Sequence, residues 1–207
     1  MSKEVKILAL QRQLTKAMPK IIIANDAQYG GALHEGPRRY QRASPLASLG
    51  AVVMGEALRR QRVRNVGADG MPANNAANRQ AVSAQGWLEM GKPLYQRIQT
   101  AQDGTINTVC DTLAAYALYV IKSILNLGAN FELVHNPHPT DHHFVVVDRA
   151  DGSEINDCTT WGADCFVIDL WDAKREGLDN AGVYADPSDH TYSGEDYEVV
   201  SEHSYEN

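Results

Sequence analysis

Three residue types, in chain order, suggest a chemistry. Cys110 opens the longest apolar-periodic run, His142 and His143 open a β-branched run, and Asp169 closes a shorter apolar one. Thiol, imidazole and carboxylate in that order can serve as the nucleophile, base and orienting group of thiol catalysis. A cysteine in the first turn of a helix meets unpaired backbone N–H groups and the positive end of the dipole, which favour a thiolate. The plain alternative, equally weighted from position alone, is a small buried hydrophobe.

The elements that must position these groups can be read around the run 105–125. Cys110, Leu113, Ala114, Ala117, Ile121 and Ile124 recur at helical spacing, and Ala115, Leu118, Tyr119, Val120 and Leu125 cover the other side. This predicts a central helix buried nearly all round, with Ala114 and Ala117 admitting a close neighbour. Asn107 or Thr108 is expected as its N-cap, with Asp111 approximating a capping box. The Cys110 backbone N–H is the natural oxyanion donor, with the Asn107 side chain as a second if it does not cap the helix.

Before this helix the pattern predicts a helix over 3–18 ended by Pro19, and a short strand at Ile21–Ile23. A polar loop is expected over 32–44, a helix from Ser44-Pro45 to about Arg62, a break at 67–75, and a helix from about Ala76 to Gln99 bent near Gly91 and Pro93. After it the period changes to two. Asn130–Val134 reads as a strand, 135–141 as a loop, His142–Val147 as a strong strand, and Cys165–Trp171 as a strand antiparallel to it. The expected architecture is α+β, helices first and then a small antiparallel sheet packed on the Cys-bearing helix. Residues 1–100 form a mainly helical subregion, 101–187 the core, and 188–207, acidic and poor in aliphatics, a mobile tail.

On a strand, His142, Phe144 and Val146 share one face and His143, Val145 and Val147 the other, so only one histidine can face the helix. A competing reading is zinc. His135, His138, His142 and His143 lie close together, with Cys158 and Cys165 following, but without a tight Cys-x2-Cys pair. A structural zinc module and a catalytically silent interaction protein are therefore the alternatives, and no cofactor is assigned.

The 207 residues suit one domain able to bury a sizeable core. Three cysteines make no disulfide framework, which suggests a reducing compartment. There is neither an apolar run long enough for a membrane span nor a cleavable signal at the amino terminus. Residues 1–109 carry 15 Lys and Arg against 7 Asp and Glu, and the remainder 4 against 19. The basic half lacks aromatic interleaving or a reading helix, so attraction between the halves is preferred to nucleic-acid binding.

The run Asp141-His-His-Phe-Val-Val-Val-Asp-Arg149, followed by Trp161-Gly162 and Val167-Ile-Asp-Leu-Trp171, resembles the His and Asp segments of papain-like cysteine proteases among bacterial effectors and toxins. The resemblance spans about residues 105–172. Leu170 stands where that family places a proline, and no glycine directly precedes Cys110. It implies a papain-like fold, a Cys110–His142–Asp169 triad and a thiol protease. His142 is favoured over His143 because its spacing to Phe144 and Arg149 fits the family register. A glutamine deamidase or transglutaminase would use the same triad. A protein substrate in a target or host cell is expected, reached by secretion without a cleaved signal peptide; a cytoplasmic protein is the other possibility. Oligomeric state and substrate are left open.

Overall fold

A computed structural model describes residues 1–23, 84–108, 110–136, 142–190 and 196–205. The loop, helix and break expected between residues 32 and 75 lie outside the described residues, as do His138 and residues 76–83 of the helix expected from Ala76.

Helix α1 (Lys3–Leu14) buries Leu10 and Leu14, and the chain turns through Pro19 into strand β1 (Ile21–Ile23). Helix α2 (Ala84–Thr100) continues through Pro93 and buries Trp87, Leu88, Leu94 and Ile98 along one stripe. Residues 106–108 then depart from the expected central helix. They form strand β2 (Ile106–Thr108), parallel to β1 with Ile21 opposite Ile106. The backbone N–H groups of Thr105 and Ile106 both donate to the Lys20 carbonyl, which sets this pairing.

The central helix α3 (Cys110–Tyr119) therefore begins at the cysteine itself and continues as a π-helical turn, Val120–Leu125, ended by Asn126 at φ 45°. Asn107 and Thr108 lie in the preceding strand. The Thr108 hydroxyl is buried without a hydrogen-bond partner, so it does not cap the helix. Asp111 accepts from the amide and hydroxyl of Thr112. Burial of α3 is nearly complete, as its two apolar faces require: Leu113 through Leu118 are all in the core.

Small residues do permit a close helix contact, but it is seen at Gly91 of α2. A Cβ at Gly91 would collide with the Ala115 carbonyl oxygen and stand 2.8 Å from the Tyr119 Cβ. Gly91→Ala is expected to push α2 off α3 and cost about 3 kcal/mol. A thermal melt checks this, with a fall of about 6–12 °C expected for a chain of this size.

Beyond α3 lie β3 (Phe131–Asn136), β4 (His142–Val147), β5 (Phe166–Ile168), helix α4 (Leu170–Glu176), β6 (Val183–Tyr184) and β7 (Glu198–His203). The five strands form one antiparallel sheet in the order β6-β5-β4-β3-β7. Leu133, Val145, Val147, Phe166 and Ile168 join the helices in the larger core. Val134, Phe144, Val146, Val167 and Tyr184 bury the opposite face beneath Trp161 and Tyr197. The class is α+β, with β4 at the centre of the sheet.

Three strand expectations change. Strand β3 runs on through His135 and Asn136, which were expected in a loop, because each pairs across to β4; the rest of that expected loop, 137–141, lies outside the described residues. Strand β5 stops at Ile168, because the Asp169 side chain accepts from the Asp172 amide and starts α4 there. The tail does not hang free: Glu198–His203 pairs with β3, and Tyr197 and His203 are buried. Counting its charges hid the alternation that turns Ser201 and His203 inward while leaving Glu198 and Glu202 exposed. Among the described residues, no helix is long and apolar enough to cross a membrane.

Candidate active site

The site lies where three element ends meet: the first turn of α3, the start of β4 and the start of α4. Cys110 is only 4 % exposed and His142 1 %. His142 is the first residue of β4 and pairs with Asn136, the last residue of β3. Its Nε2 lies 2.6 Å from Asp169 Oδ2, and the ring also hydrogen-bonds the Cys110 thiol. With Nε2 engaged by the carboxylate, Nδ1 is the ring nitrogen left for the sulfur. The expected residues Cys110, His142 and Asp169 thus form one hydrogen-bonded chain.

The face argument used to separate the two histidines needs correction. By alternation His143, with Val145 and Val147, lies on the helix side, and its ring stands 5.8 Å from Trp87 of α2 and 4.5 Å from His135. The ring that meets Cys110 is nevertheless His142, from the other face. Cys110 is at the tip of its helix and His142 at the end of its strand, so the ring meets the thiol at the rim rather than across the sheet.

Asp169 serves two purposes. Oδ1 caps α4 by accepting from the Asp172 amide at 2.9 Å, while Oδ2 faces His142. Oδ2 also lies 2.9 Å from Nε2 of His190, a buried residue just after the short 3-10 turn Pro187–Asp189. Sequence reasoning missed His190, which was assigned to the tail. Its only local signal was a histidine after an Asp-Pro turn in an otherwise acidic stretch.

Trp171, in the first turn of α4, has its ring 4.9 Å from that of His142, and the Arg175 guanidinium lies 4.9 Å over the indole. The capped helix thus places an aromatic ring beside the Asp–His pair. Asp172 points elsewhere, to Arg175 at 2.6 Å and the Tyr184 hydroxyl at 2.6 Å, and is fully buried. Arg149 grips Glu132 of β3 with two bonds of 2.7 Å and holds the Ser153 carbonyl, so it closes the far end of the β3–β4 pair.

Electrostatics follow from this packing. Burial opposes a charge on His142, but Asp169 and the bond to it outweigh burial, the Cys110 sulfur adds to them, and the imidazole is held well above its usual range. Burial likewise opposes charge on Asp169, yet His142 first and His190 next hold its carboxyl well below the usual carboxylate range. Burial pushes the Cys165 thiol up to about 12, and Cys158 is also raised, by burial and then Asp157.

The described members of the expected zinc ligand set do not come together. Cys165 lies in the outer core beside Trp161, His135 stacks on His143, and His142 is bound to Asp169. Among the described residues, no three His, Cys, Asp or Glu side chains converge to hold a metal.

No protein-family model matches the chain, and no curated protein matches it.

Proposed function

We propose that the protein is a thiol hydrolase acting on protein substrates, a papain-like cysteine protease of the effector or toxin kind that works inside a recipient cell. The observation that carries this is the buried chain Cys110–His142–Asp169, in which a helix-tip thiol and a carboxylate engage one imidazole.

Cys110 Sγ, its proton passed to His142, attacks the substrate carbonyl carbon, and the π pair moves to the oxygen. The Cys110 backbone N–H, at the helix start, is the donor for that oxyanion. Collapse breaks the C–N bond while His142 gives its proton to the departing amine. Water then adds to the thioester with His142 as base, and breakdown returns the proton to the sulfur. Asp169 keeps the imidazole oriented throughout and balances its charge.

One observation favours a second reading, glutamine deamidation or transglutamination by the same residues. With Cys110 and His142 both almost inaccessible, a slender side-chain amide reaches the sulfur more easily than a folded main chain does. Mapping new termini and deamidated glutamines across a recipient-cell lysate, wild type against Cys110→Ala, decides between them. New termini dependent on Cys110 support the protease, and glutamate at former glutamines supports the deamidase. Amine adducts or cross-links at glutamine would support the transglutaminase, and none of these changes, at full enzyme occupancy, would overturn both readings.

A further inference from the structure

His142 and His190 address the same oxygen of Asp169, at 2.6 and 2.9 Å, from 27 residues before it and 21 residues after it. A carboxylate that only had to orient His142 would need one such contact. Here Oδ1 is already used by the helix cap, and the second imidazole completes the set around a group only 2 % exposed. His190 is itself fixed by rings: Phe144 lies 4.7 Å away and Tyr184 meets it edge-on at 5.0 Å. Phe144 stands next but one to His142 on the same strand face, and the Tyr184 hydroxyl is bound to Asp172 of α4. Among the described residues, Asp169 and Tyr184 face His190, and Asp186 and Asp189 lie on its own turn.

We propose that His190 is a positioning residue of the thiol site, donating its Nε2–H to Asp169 Oδ2 so that the carboxylate stays ionised and aimed at His142. This rests on the thiol-hydrolase reading above and extends it from three residues to four. A buried carboxylate needs hydrogen-bond donors and nearby positive charge to remain ionised, and His142, which keeps its Nε2–H but gives up its Nδ1 proton during turnover, supplies the bond continuously and the charge only part of the time. When His142 gives its proton to the leaving amine, Asp169 loses its countercharge for that interval, and the His190 N–H remains. The residue acts through Asp169 and touches neither the sulfur nor the substrate carbonyl.

The test uses the full chain and iodoacetamide as probe, with the Cys110 alkylation rate followed against pH by mass spectrometry. The chains are wild type, His190→Phe and His190→Gln, with melting temperature measured in parallel. Phenylalanine keeps the ring packing and removes the donor, while glutamine restores an N–H. His190→Phe is expected to move the acid limb of the profile upward by about one pH unit, and to lower the rate below that limb about tenfold. His190→Gln should recover most of both, and the downfield proton resonance of the His142–Asp169 bond should broaden only in His190→Phe. Melting temperatures that fall while the profile and resonance stay as in wild type would make His190 a packing residue and overturn the proposal. A wild-type Cys110 whose alkylation is insensitive to His142→Ala would instead overturn the thiol reading itself, and this proposal with it.

Discussion

Asp169→Asn is expected to cut turnover by about a hundredfold or more while substrate binding changes little. The amide still accepts the Asp172 N–H and so can cap α4, but it cannot balance a charged His142. In serine enzymes the equivalent change costs about 10⁴-fold; a thiol is intrinsically more nucleophilic and needs less help, so a smaller loss is expected. The stability effect has a definite pH dependence. His142 is raised on folding, so its contribution is complete below its ordinary value of about 6.5 and fades as pH rises towards the folded value. Asp169 is lowered, so its contribution is present above about 4 and fades as pH falls. The melting-temperature gap between wild type and Asp169→Asn should therefore be widest between about pH 4 and 6.5 and should narrow on both sides.

Asp172 looks like the natural control from spacing alone, since it is a nearby aspartate facing another direction. Its environment makes it a different one. Asp172→Asn removes one of the two carboxylates that Arg175 meets, leaving Glu176, and replaces the charged acceptor of the buried Tyr184 hydroxyl, so it should cost about 2–3 kcal/mol of stability while leaving the Cys110 alkylation profile unchanged. The two aspartates thus separate function from stability within one helix turn.

Deleting residues 188–207 is expected to be severe. The cut removes β7 from the edge of the sheet, strips Tyr197 from the outer core, and takes His190 from Asp169. The exposed β3 edge would then present unpaired backbone groups, a route to aggregation. A loss of about 5 kcal/mol or more is expected, roughly 10–20 °C in melting temperature, with Cys110 reactivity reduced as well. A truncated chain ending at Pro187 that melts with the full chain would show that β7 contributes nothing, contrary to its pairing.

The parts of the fold legible in sequence are those with strong local periodicity. The Cys110 helix, the His142–Val147 strand and its antiparallel partner Phe166–Ile168 all follow from spacing and β-branching. Boundaries were less legible, because they depend on partners distant in the chain. Thr105–Thr108 has helix-compatible residues, yet the Lys20 carbonyl and β1 draw it into a strand. Asp169 illustrates the reverse: an aspartate three residues before Asp172 carries a helix-start signal, but the apolar run before it reads as strand throughout. His190 was invisible because its role depends on a carboxylate 21 positions away. The order Cys, His, Asp could be read from the chain, whereas the ring's approach at the sheet rim and the fourth residue needed three dimensions.

The most direct test of the central claim is competitive alkylation of the three cysteines. Substoichiometric iodoacetamide is added to the folded chain at neutral pH, and the label on each cysteine is quantified by peptide mass spectrometry for wild type and His142→Ala. Exposure alone favours Cys158, the one thiol of the three that is not buried. The account predicts that Cys110 is labelled first in wild type despite its burial, and that His142→Ala abolishes that preference and leaves Cys158 ahead. Labelling that follows exposure in both proteins, with Cys158 first and Cys110 last, would contradict it.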